Sequence, residues 1–268
     1  KNDYFDTVVE YLNEMKSNNI KPDVITYSTL IVAYGKNADF NKVEAVFNEM
    51  KSNNIKPDVV TYTTLISTYG KNGDIQTVKK YIDEMLSNNI EPTNITYSAL
   101  IIAYAKIGNV RKIEKCFKEM KLKNIKPKVF HYNLLINACV KRKKFNKVEK
   151  YYKEMKSNNV EPTLRTYNTL IDACGKNGGL DKVDEFVNEM KSNNIEPDCY
   201  TYNILISAYG KNGNFAKIDE YLSEMKSNNV KQNIVTHNTL LHLYGKHGDF
   251  AKVDECLKEM KLNSIKPN

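Results

Sequence analysis

A lysine stands at every thirty-fifth position of this chain: Lys1, Lys36, Lys71, Lys106, Lys141, Lys176, Lys211 and Lys246. Evenly spaced ammonium groups can do two things. Each can complement the C-terminal end of a helix macrodipole, or the row can track the phosphates of an extended polyanion, one contact per polymer unit. Both readings stay open on the residues alone. Other reactive side chains are few and scattered. His131, His237, His242 and His247 form neither HExxH nor an HxE with a CxxC pair. The five cysteines contain no CxxC. Cys139 and Cys174 stand where the same period elsewhere places Tyr34, Tyr69, Tyr104, Tyr209 and Tyr244, and Cys116 and Cys256 align with Val46. They read as small core residues, not as disulfide partners or zinc ligands. Recurring carboxylates such as Glu14 and Glu49 are too far apart for a two-metal centre, and no glycine-rich loop opens a nucleotide site. The expected activity is therefore binding without catalysis, cofactor or metal.

The elements that position these lysines emerge from the same period. All eight methionines recur at 35-residue spacing, from Met15 to Met260, and all seven prolines do so from Pro22 to Pro267, with Gln232 in the one gap. A period of this size predicts a stacked array of supersecondary units. In the unit 24–58, Tyr27, Leu30, Ile31 and Tyr34 fall at i, i+3, i+4, i+7, the apolar stripe of a first helix, with Thr26 as its expected cap. Gly35, Lys36 and Asn37 break it. Asp39 then caps a second helix whose stripe is Val43, Val46, Phe47 and Met50. Asn53 and Asn54 end that helix, because Asn tolerates the left-handed turn, and Pro57 stops propagation. Neither helix can bury its stripe alone, so neighbouring hairpins must stack.

The expected architecture is all-α, a right-handed α-solenoid. Residues 1–23 supply only a second helix, and seven repeats come after it at 24–58, 59–93, 94–128, 129–163, 164–198, 199–233 and 234–268. No polar capping helix is visible at either end. Phe5, Val8, Val9, Tyr11 and Leu12, and Val253, Cys256 and Leu257, are therefore expected to favour self-association through the ends. The formal net charge is +8, from 40 basic and 32 acidic residues, which favours an acidic partner. No apolar run approaches membrane-spanning length. The chain opens mid-repeat without an initiator methionine, so it reads as an excerpt or processed form.

The phrases Val-Val-Thr-Tyr-Thr-Thr-Leu-Ile at 59–66 and Asn-Glu-Met-Lys-Ser-Asn-Asn-Ile-Lys-Pro-Asp at 48–58 closely resemble the P-class pentatricopeptide repeat family. One departure is Asn54, Asn89, Asn124, Asn159, Asn194 and Asn229, where that family usually has Gly. The resemblance implies binding of single-stranded RNA, one base per repeat. It places base recognition at the fifth and last residues of each repeat. These are Ser28 with Asp58, Thr63 with Thr93, Ser98 with Lys128, Asn133 with Thr163, Asn168 with Asp198, Asn203 with Asn233, and Asn238 with Asn268. In family terms the pairs spell G, purine, unassigned, pyrimidine, U, C, C, with the RNA 5′ end at the first repeat. Lys128 lies outside the usual pattern. The second residues, Ile25, Val60, Ile95, Phe130, Arg165, Tyr200 and Val235, are implied to pack between bases. Phe130, Arg165 and Tyr200 depart from the usual aliphatics. Each can stack on a base or pack against the adjacent repeat. The resemblance also supports a phosphate role for the lysine row.

By the same resemblance the expected setting is a mitochondrion or plastid, in the stabilisation, processing or translation of a transcript. Two rivals keep the basic face. One is a ribosome-associated scaffold that binds protein and RNA without a base code. The other is a processing enzyme whose catalytic domain lies outside this stretch.

Overall fold

The computed structural model describes Thr7, Glu10, Tyr11, Glu14, Met15 and residues 17–262. Lys1, Phe5, Val8, Val9 and Leu12 of the expected leading half-repeat, and Pro267 and Asn268, lie outside the described residues. From Val24 onward the described residues form fourteen α-helices and no strand. These are α1 Val24–Lys36, α2 Phe40–Ser52, α3 Val59–Asn72, α4 Ile75–Ser87, α5 Asn94–Lys106, α6 Val110–Leu122 and α7 Val129–Lys141. The run continues with α8 Phe145–Ser157, α9 Leu164–Lys176, α10 Leu180–Ser192, α11 Cys199–Lys211, α12 Phe215–Ser227, α13 Ile234–His247 and α14 Phe250–Leu262. Odd-numbered helices are the first of each hairpin and even-numbered helices the second.

The chain divides into two compact units, Lys1–Ala138 and Cys139–Asn268. In the first, α1 packs on α2 and α3, α3 on α4 and α5, and α5 on α6. In the second, α9 packs on α8, α10 and α11, α11 on α12 and α13, and α13 on α14. These packings all join near neighbours in the chain, which is the logic of an α-helical repeat solenoid. Both expected stripes are inside: Tyr27, Leu30, Ile31 and Tyr34 of α1, and Val43, Val46, Phe47 and Met50 of α2, are buried. Full burial of such side chains is worth roughly 1.5–3 kcal/mol each. Aromatic edges join successive second helices. Phe47 meets Tyr81 at 5.3 Å between centroids, and Tyr152 meets Phe186 at 5.4 Å, both edge to face.

Where two asparagines end a second helix, as after α2, α4, α8, α10 and α12, they divide the work. Asn54 adopts φ 58°, and Asn89, Asn124, Asn159, Asn194 and Asn229 lie between 53° and 56°. The chain then turns back, with Ile55 N donating to Met50 O at 3.0 Å. The preceding asparagine has a second role that no periodicity announces. Asn53 Nδ2 donates to Tyr27 Oη at 2.7 Å, Asn88 to Tyr62 at 2.9 Å and Asn193 to Tyr167 at 2.8 Å. Tyr62 Oη in turn donates to Glu84 at 3.1 Å, and burial pushes its pKa up to about 12. A fully buried tyrosine thus keeps its hydroxyl satisfied at the hairpin's rim.

The starts of the helices bring one correction. Asp39 caps α2 as expected, accepting from Lys42 N at 3.2 Å. Thr26, however, is not the cap of α1. That cap is Asp23, whose Oδ1 accepts from both Thr26 N and Thr26 Oγ1 at 2.8 Å. A carboxylate one turn earlier outcompetes the hydroxyl because it is already ideally placed for the orphan N–H groups.

Successive first helices approach closely at glycine. A Cβ on Gly70 would lie 2.7 Å from Ala103 Cβ, and one on Gly175 would lie 2.6 Å from Ala208 Cβ. Gly245, at the corresponding place in α13, faces open space. Gly70→Ala should therefore lower stability by about 1–3 kcal/mol through overpacking. Gly245→Ala should raise it by up to about 1 kcal/mol through helix propensity. Denaturant titration followed by circular dichroism checks both signs, and equal effects at the two sites would show that helix spacing is not set by glycine.

Candidate nucleic-acid interface

The first N–H groups of a helix lack partners within it. In this array the residue before a first helix supplies one, in every repeat but the one that Lys128 precedes. Asp58 Oδ1 accepts from Thr61 N at 2.8 Å and Thr61 Oγ1 at 2.9 Å. Asp198 does the same with Thr201, both at 2.8 Å, and Asn233 with Thr236 at 3.0 and 3.2 Å. Thr93 and Thr163 pair their hydroxyls with Thr96 and Thr166 at 3.3 and 3.2 Å. These caps are the last residues of the sequence repeats, so one side chain is both helix cap and base-recognition candidate.

In three places a threonine, the third residue of its first helix, then reaches back to the fifth residue of the preceding repeat. Thr61 Oγ1 lies 3.1 Å from Ser28 Oγ, Thr96 Oγ1 2.7 Å from Thr63 Oγ1, and Thr201 Oγ1 2.8 Å from Asn168 Oδ1. The fifth and last residues of a repeat are thereby brought together by a fully buried hydroxyl of the next one. Asn203 and Asn233 meet directly, Nδ2 to Oδ1 at 3.4 Å, and the buried Asn203 Oδ1 has no partner among the described residues. Asn133 is half-buried, and Thr163 belongs to the other compact unit. Asn238 is half-buried, and Asn268 lies outside the described residues.

Lys128 cannot accept a hydrogen bond, and here the pattern changes. His131 replaces the threonine. Lys128 N donates to His131 Nδ1 at 2.9 Å, and His131 Nε2 lies 2.8 Å from Ser98 Oγ. The ring is 1% exposed. Burial, and then the Lys128 charge, hold its pKa below the ordinary histidine value, so it is neutral.

Beside these pairs the second residues stand out into solvent. Ile25 and Ile95 are 70% exposed, Tyr200 62% and Phe130 40%; Val60, Arg165 and Val235 are exposed too. That repeated exposure costs hydrophobic free energy in the free chain. The Phe130 ring lies edge-on to His131, 5.6 Å between centroids. Between α1 and α3 a cleft of about 250 Å³ is lined by Ile25, Ser28, Val32, Asp58 and Val60. It joins the second, fifth and last residues of one repeat to the second residue of the next.

Lys36, Lys71, Lys106, Lys141, Lys176, Lys211 and Lys246 are all exposed in or at the last turn of first helices. They are not equivalent. Lys176 is paired with Asp172 at 2.6 Å, and Lys106 Nζ donates to the carbonyl of Lys71. Among the described residues, Lys141, Lys211 and Lys246 show no ion pair.

Sequence reasoning missed the third residues, although their signal was present: Thr26, Thr61, Thr96, Thr166, Thr201 and Thr236 recur at one offset, interrupted only by His131. It also passed over a cavity of about 920 Å³ between α12 and α14. There His237 and Cys256 stand where Tyr202 and Tyr221 fill the previous repeat. That cavity contains none of the fifth or last residues. Among the described residues no group of three or more His, Cys, Asp or Glu is placed to hold a metal.

No match is found among curated protein sequences. Family models do match. The PPR repeat family model covers residues 57–106, 127–176, 164–211 and 200–243; the pentatricopeptide repeat domain model covers 10–72; a PPR repeat model covers 95–125 and 235–265. Among solved structures, the pentatricopeptide repeat protein PPR10 from maize is similar at 26% identity and TM-score 0.71, over 98% of this chain and 42% of that one. PPR10 in complex with an 18-nucleotide psaJ RNA element matches at 26% identity and TM-score 0.67, over 98% and 43%. The PPR domain of Arabidopsis thaliana protein-only RNase P 1, in complex with tRNA, shares the fold at 18% identity and TM-score 0.54, over 63% and 89%. The chain spans less than half the length of the maize protein it matches. With family models covering most of its length and 35-residue helix hairpins recurring along it, this chain belongs to the pentatricopeptide repeat family.

Proposed function

We propose that this chain binds single-stranded RNA in a sequence-dependent way, one nucleotide per repeat. One observation carries the reading: the fifth and last residues are held together by a buried side chain, next to an exposed second residue, again and again along the array. An unstacked base needs a flat apolar neighbour for its face and fixed polar groups for its edge. The cleft between α1 and α3 offers both. The similar PPR10 structure with an 18-nucleotide RNA supports the same reading.

Hydrogen-bond polarity supports the letter proposed for the first repeat. Asp58 only accepts, so Thr61 must give it the hydroxyl proton. Ser28 must then donate its own proton to Thr61, which leaves Ser28 only lone pairs for a base. Two acceptors side by side suit the N1–H and N2–H₂ donors of guanine. This supports G as the first base of the proposed order, which continues purine, an unassigned third base, pyrimidine, U, C, C. The exposed lysines supply the sequence-independent part by meeting phosphates. The organellar setting, in transcript stabilisation, processing or translation, belongs to the same proposal through the family, and no catalysis by these repeats is part of it.

Selection from randomised RNA tests the reading directly. Asn168→Thr beside Asp198 should move the fifth base from U to G, with roughly 1–3 kcal/mol of discrimination. An unchanged base at that place would remove the pairing scheme. Salt titration tests the lysines. Lys211→Ala should weaken all RNAs alike and reduce the slope of log K against log salt by about 0.7. Lys176→Ala should do less, because Asp172 already neutralises it. A Lys211→Ala defect confined to one base identity would place that lysine at a base edge instead.

A further inference from the structure

The hydroxyl proton of a third-position threonine is turned by the residue that caps the helix, but a histidine held from behind keeps its proton on one side. We propose that His131 fixes Ser98 as a hydrogen-bond acceptor and that, with Lys128 beside it, repeat 3 selects a keto base, guanine first. The proposal rests on the one-base-per-repeat reading above.

Lys128 N–H donates to His131 Nδ1 at 2.9 Å, so Nδ1 carries no proton and the neutral ring carries it on Nε2. Nε2–H donates to Ser98 Oγ at 2.8 Å. The Ser98 proton goes to the carbonyl of Asn94, also at 2.8 Å. The hydroxyl is left with one lone pair and no proton to offer. Lys128 is exposed, and its ammonium offers donors only.

A matching base edge must therefore give Ser98 a donor and Lys128 an acceptor. With the hydroxyl facing the central atom of the edge, guanine meets both demands through N1–H and O6, and uracil through N3–H and O4. In that register adenine and cytosine fail twice. A ring-nitrogen lone pair faces Ser98, and an amino group faces the ammonium. Guanine exceeds uracil because N7 lies beside O6, so a cation finds two adjacent acceptors. Repeat 1 leaves its serine with the same polarity by another route, with Asp58 where repeat 3 has Lys128. His131 is a positioning residue here, acting on the base only through Ser98.

The test titrates the parent chain, His131→Thr and Lys128→Gln with four RNAs that differ only at the nucleotide facing repeat 3. His131→Thr restores the residue the array uses elsewhere, and Lys128→Gln changes an exposed side chain. The parent should favour guanine over adenine by about tenfold or more, with uracil between. Each variant should narrow that ratio to about threefold or less and leave discrimination at the nucleotide facing repeat 5 intact. A parent indifferent at this nucleotide, or a His131→Thr variant that keeps the full ratio, overturns the proposal. Loss of base discrimination at every repeat of the parent would instead sink the one-base-per-repeat reading, and this proposal with it.

Discussion

The interaction on which the rest depends is the cap at the start of each first helix. Orphan N–H groups there must be satisfied, and a short acceptor side chain before the helix contributes about 1 kcal/mol by doing so. In this array that side chain is also the last residue of the preceding repeat. Its choice is therefore restricted by helix physics before any partner arrives: Asp58, Thr93, Thr163, Asp198 and Asn233 are all residues that cap well. Lys128 is the exception, and the replacement that keeps the helix start satisfied, His131, is one turn away. Recognition and stability are written in the same few side chains, so a change made for one is felt by the other.

The buried tyrosine of each first helix links that start to the far end of the hairpin. Its ring is buried, and in Tyr62 and Tyr202 the hydroxyl ties down both a glutamate of the second helix and the asparagine that ends it. Glycine lets the neighbouring first helix come close enough for the third-residue contact to reach across. Packing, termination and the cross-repeat hydrogen bond are thus one assembly repeated, not separate devices. At His237 and Cys256 the tyrosine scheme lapses, and a cavity opens between second helices.

Much of this was legible in the sequence. The 35-residue register, both apolar stripes, the cap at Asp39 and the left-handed Asn54 are consequences of helix periodicity and turn chemistry, which are local. The illegible part lies between residues about one repeat apart. Whether Thr61 reaches Ser28, or Asn88 reaches Tyr62, depends on the distance between stacked helices, and no spacing in the chain states that distance. Thr26 is ambiguous in sequence because a hydroxyl near a helix start suits either the cap or the third position, and only geometry separates them. Lys176 differs from its fellows through Asp172, four residues earlier on the same helix, a spacing that the sequence carries but that the repeat pattern alone hides.

The left-handed asparagines have a consequence in the chain when it is unfolded. Asn carries a Cβ, so before folding it explores fewer conformations than glycine would at the same turn. Where the strain of positive φ is tolerated, that difference is worth about 0.4–1 kcal/mol per site, with no new contact formed. In a globular domain such increments would merge into one global stability. In an array coupled only between neighbours they stay local. They set how readily each individual hairpin opens and closes while the rest of the array holds.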